Sequence, residues 1–62
     1  MTYQDGNLIS AHQVKEDGWK ILEQGNLCGK AQWHWETYIS PDEQWIVTFY
    51  YDDTFGTIER YE

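Results

Sequence analysis

The sequence predicts a small α+β domain: a curled antiparallel sheet, a meander of about four strands, with one short N-terminal helix against it. Three observations carry this. From Trp33 to Tyr51, two aromatic and β-branched runs flank Ser40-Pro41-Asp42-Glu43-Gln44. Such residues fit a pleated, half-buried surface, and the middle segment has turn chemistry. A helix-start pattern stands at Ser10, and glycine-marked turns bound the other short runs. An all-β barrel of five or six short strands is the alternative architecture.

Taken in order, Asp5-Gly6-Asn7 is a turn signal, with a short strand on either side at Thr2-Tyr3 and Leu8-Ile9. Ser10–Asp17 is the one segment with helix signals. Ser10 caps it, Gln13 follows three residues on, and Gly18 suits a left-handed position past its end. The competing reading takes Asp17-Gly18 as a hairpin turn between two strands. Trp19–Glu23 reads as a strand, with Trp19 and Ile21 on one face. Gly25-Asn26 is a turn, and Gly29 marks a bulge or bend into the next strand. Asp52–Gly56 reads as a loop, and Thr57–Tyr61 as a short, charged edge strand.

Register follows from the loop length. With five loop residues, Ile39 faces Trp45, Trp35 faces Phe49 and Trp33 faces Tyr51. Both apolar sets then lie on one side, so Trp35, Ile39, Val47 and Phe49 are expected in the core. The other side would carry Glu36 and Tyr38 beside Ile46 and Tyr50.

Sixty-two residues make a single domain. A chain this small buries only about 60% of its unfolded surface. One cysteine, Cys28, allows no internal disulfide and fits a reducing compartment. The first residues are polar, without the apolar stretch of a signal peptide, and no run is long enough to span a membrane. The expected location is the cytoplasm. The four Trp, five Tyr and two Phe then have to supply the core.

Eleven acidic residues against four basic ones give a net charge of −7. That disfavours direct nucleic-acid binding, which needs cations to neutralise phosphates, and disfavours anionic membranes. It permits a basic protein partner. A solubilising role for an aromatic-rich chain explains the same charge.

Catalytic patterns are weak. His34 and Glu36 share a strand face near Asp52 and Asp53, but a third metal ligand is missing. Cys28 beside His12 or His34 needs a contact that spacing does not establish, and a small buried hydrophobe is the simpler reading. Glu36 with Asp52 or Asp53 as paired carboxylates would need a substrate cleft, for which so short a chain has little room. No enzyme, cofactor or metal is therefore expected.

The expected function is a small non-catalytic interaction protein that binds a basic protein surface. The contact residues would be Glu36, Tyr38, Asp42, Glu43, Tyr50, Asp52 and Asp53. In size and charge this is analogous to phage or mobile-element inhibitors of nucleic-acid-binding host proteins, such as anti-restriction and anti-CRISPR proteins. The alternatives are a module that stacks sugars or similar rings on an exposed Trp such as Trp33, and an accessory subunit of a larger complex. A homodimer is also expected, through the face bearing Tyr38, Ile46 and Tyr50 or through the Thr57–Tyr61 edge. A core this small gains only about 3–5 kcal/mol, and association would add to it.

Overall fold

In a computed structural model that describes residues 3–26, 34–51 and 53–61, the chain alternates short strands with one helix. β1 (Leu8–Ser10) leads into α1 (Ala11–Glu16). β2 (Lys20–Asn26), β3 (His34–Ile39) and β4 (Trp45–Tyr50) follow, then β5 (Phe55–Thr57) and β6 (Glu59–Arg60). β2, β3, β4 and β6 form one antiparallel sheet in that order, and β1 pairs with β5 in a separate ribbon. The architecture is the expected α+β sheet with one short helix, and among the described residues no barrel closes.

The helix starts where its capping signal stands. Ser10 has extended backbone angles, and its Oγ accepts the Gln13 N–H at 3.0 Å. This satisfies one of the donors that every helix start leaves open. The helix ends before Gly18, whose φ of +83° disfavours a side chain. Val14 alone of the helical residues is buried. Tyr3 ties the N-terminal segment down: its hydroxyl donates to Asp17 at 2.7 Å and accepts from the Trp19 indole at 3.0 Å. The two rings meet edge to face.

The β3–β4 hairpin is one residue tighter than its sequence suggests. Ser40 joins the ladder and donates its backbone N–H to the Trp45 carbonyl at 2.9 Å. Its Oγ also accepts the backbone N–H groups of Gln44 and Trp45. Only Pro41–Gln44 then lie in the turn, with Glu43 left-handed at φ +60°. Ile39 therefore opposes Ile46, Tyr38 opposes Val47 and Trp35 opposes Tyr50. The expected register, Ile39 with Trp45 and Trp35 with Phe49, is corrected by one residue. Because side chains alternate between faces, the shift moves all of β3 to the opposite side relative to β4.

The consequence is a different core. Tyr38, Val47 and Phe49 share the inner face and cluster with Ile9, Val14, Trp19 and Ile58. Trp35, Ile39, Ile46 and Tyr50 share the outer face. Ile39 is buried but lies outside the main cluster, and Trp35 is half-buried. Thr37 and Thr48 bond through their hydroxyls at 2.8 Å between them. Tyr38 and Ile46 point in opposite directions, so the patch of Tyr38, Ile46 and Tyr50 does not form.

The end of the chain departs from the meander. Phe55 and Gly56, expected in a loop, belong to β5 and pair with Ser10 and Ile9. Gly56 is what lets the ribbon lie on β4: a Cβ there would stand 2.5 Å from Val47 Cγ2. Ile58 exchanges backbone bonds with Gly6 and Asn7, both at 2.8 Å, and the chain then returns to β4 as β6. That last strand is an edge, as expected, but only two residues long.

Candidate interaction surface

The carboxylates reach the surface from the ends of strands and from turns. Asp42 is held by the hairpin turn: the Ser40 hydroxyl donates to it at 2.5 Å and the Gln44 N–H at 3.1 Å. These bonds, the Ser40 bond foremost, hold its carboxyl below the ordinary value. Asp42 therefore stays ionised into mild acid. Glu43 is exposed beside it. The helix end comes to the same place, since a Cβ on Gly18 would lie 4.0 Å from Pro41. Asp17 and Asp42 both act on the Tyr3 phenol, which places their charges at one end of the molecule. Asp17, at the end of the helix, stands with this group.

Asp53 stands at the other end of β4. Its carboxylate accepts the Tyr50 N–H at 3.0 Å, and its own N–H donates to the Tyr50 carbonyl at 2.7 Å. The six-residue strand between puts Asp53 about 20 Å from Asp42. Asp42 and Glu43 thus stand apart from Asp53. Around Asp53 lie the exposed Tyr50 and Tyr51, the latter at φ +39° and bonded to the His34 carbonyl. Glu36 is half-buried on the inner face, with His34 Nε2 3.9 Å away.

Tyr38 leaves the candidate surface. It is 6% exposed, and its ring meets Phe49 edge to face. Burial, then the charge and hydrogen bond of Glu36, raise its phenol above the ordinary value. Asp52 and Trp33 lie outside the described residues, as do Cys28 and Gly29. Two exposed apolar side chains, Leu8 and Phe55, were not singled out by sequence reasoning. The local pattern gives Phe55 no strand signal, because its partner Ser10 is distant in the chain.

Among the described residues, no three His, Cys, Asp or Glu converge on a metal position. A cleft of about 300 Å³ beside β1 and α1 is lined in part by Ser10 and Gln13. Their side chains are engaged with the helix cap and with Asp17. Of the described tryptophans, Trp19 is buried and Trp35 and Trp45 are half-buried, with Arg60 over the Trp45 ring. None stands free as a stacking platform. No helix among the described residues is long and apolar enough to cross a membrane.

Comparison with protein families, curated proteins and solved structures finds no match to this chain.

Proposed function

We propose that this chain is a small non-catalytic interaction protein that binds a basic protein surface in the cytoplasm. A nucleic-acid-binding host protein is a suitable partner, and the chain would act as a phage or mobile-element inhibitor. One observation carries the reading. Asp5, Glu16, Glu23, Asp42, Glu43, Asp53 and Glu59 are exposed, and among the described residues no Lys or Arg forms an ion pair with a carboxylate. An acidic surface that is not neutralised internally keeps its field for an external cation. The contacts are assigned to Asp42 and Glu43 at one end, and to Asp53, Tyr50 and Glu36 towards the other. Asp52 adjoins the second group in sequence. Anchored carboxylates cost less to order on binding, and Asp42 and Asp53 are both anchored by backbone or hydroxyl donors.

The test is affinity capture with the intact chain at low and high salt, beside a variant carrying Asp42→Asn, Glu43→Gln and Asp53→Asn. Basic proteins retained at low salt, released at high salt and lost with the variant support the reading. Capture that ignores both salt and the substitutions, or no capture at all, refutes it.

A further inference from the structure

We infer that two copies of this chain associate through β2, antiparallel edge to edge, to make one continuous eight-stranded sheet. Among the described residues β2 is the longest strand, at seven residues, and β3 is its one partner. Its outer edge is a row of backbone donors and acceptors that a second strand can take up. Which residues carry them follows from the hairpin. The bonds from Ser40 to Trp45 and from Tyr51 to His34 fix the alternation on the β4 side of β3. Antiparallel ladders alternate bonded and non-bonded pairs. Trp35, Thr37 and Ile39 therefore turn their backbone groups towards Gly25, Glu23 and Lys20. Ile21, Gln24 and Asn26 are left aiming theirs outward.

The side chains of this edge suit a second copy better than they suit water. Ile21 is 49% exposed and Leu22 40%, side by side on the strand. The ladder has a bulge between Ile21 and Glu23. The extra residue changes the parity, so that Lys20 and Glu23, three apart, lie on one face, while Ile21 and Gln24 lie on the other. Pairing Ile21 of one copy with Gln24 of the other joins residues that both aim backbone groups outward and share a face. It sets Lys20 of each copy diagonal to Glu23 of its twin, within reach of long side chains. The two-fold axis makes both ion pairs and brings the Ile21-Leu22 steps together. This self-complementary edge replaces the two dimer surfaces expected from sequence: Tyr38 is in the core, and β6 offers only two residues.

Each copy carries −7, so the copies repel at a distance and association strengthens with salt. This is the reverse of the response proposed for the basic partner, and it separates the two. Sedimentation velocity on the full chain at low and high salt, with amide hydrogen exchange, tests the edge. A dimer favoured by salt is expected, with the Gln24 amide gaining protection as concentration rises. Gln24→Pro removes a donor that β3 does not use, and proline is tolerated at such edge positions. That variant should be monomeric with an unchanged circular dichroism spectrum. Lys20→Glu should weaken the dimer by about tenfold, and Lys20→Glu with Glu23→Lys should restore it. The charge-swapped pair keeps the test decisive if the proline variant does not fold. A monomer at every salt concentration overturns the proposal, and so does a dimer indifferent to all these substitutions. Capture of an extended peptide by the same edge without self-association would also overturn it.

Discussion

Gly56→Ala removes the close approach on which the two layers depend. The added Cβ would stand 2.5 Å from Val47 Cγ2, 3.0 Å from the Thr48 carbonyl oxygen and 3.2 Å from Phe49 Cε1. Val47 is 1% exposed and Phe49 7%, so neither has space to retreat into. The carbonyl belongs to β4 and cannot rotate away. Overpacking of a core typically costs about 1–3 kcal/mol, and a clash that includes backbone belongs at the upper end. With a total near 3–5 kcal/mol for a domain this small, roughly 0–2 kcal/mol would remain. The melting temperature should fall by about 12–24 °C, at ~4–8 °C per kcal/mol. Gly25→Ala is the control. Its Cβ would press at 3.0 Å on the outer part of the Trp35 ring, a half-buried side chain that can swing aside. That change should cost under about 1 kcal/mol. Thermal melts followed by circular dichroism at equal protein concentration measure both. A Gly56→Ala protein melting within about 4 °C of the parent would refute the packing of β5 on β4.

Three further outcomes follow from single groups. Ser10→Ala loses the bond to the Gln13 N–H and should cost about 1 kcal/mol in denaturant unfolding. Asp42 is held below its ordinary value of 3.8, first by Ser40. A lowered folded-state pKa gives stability that is present above 3.8 and lost as pH falls through the lower value. Asp42→Asn should therefore melt below the parent at neutral pH, with the gap closing in acid. Tyr3 is raised above 10.0, first by burial and then by its bond to Asp17. A raised folded-state pKa gives stability that is present below 10.0 and lost as pH rises through the folded value. The deficit of Tyr3→Phe should accordingly shrink in alkali, and ultraviolet titration should lose a late-ionising phenol.

Of the candidate site, Asp42, Glu43 and Asp53 were legible because turn chemistry and acidity are local properties. Tyr38 was misplaced because its exposure depends on which side of the sheet β3 presents. The nearness of Asp17 to Asp42 is not legible, because the two are distant in sequence.

The same division runs through the fold. What the sequence by itself determined was local. Ser10 and Gln13 start the helix, Gly18 stops it, and aromatic and β-branched runs make β3 and β4. These signals act within a few residues, so the chain order alone expresses them. Only the tertiary structure decided the rest. Ser40 gathers the Gln44 and Trp45 amides and shortens the turn by one residue. That exchanges Trp35 for Tyr38 on the core face. Phe55-Gly56-Thr57 becomes a strand because Leu8–Ser10, far away in the chain, supplies its partner groups. Gly56 reads as loop punctuation until Val47 and Phe49 are seen against it, where any side chain would hold the two layers apart. A hydrogen-bonding partner and a packing neighbour are both facts about distant residues, and neither is contained in the local pattern of the chain.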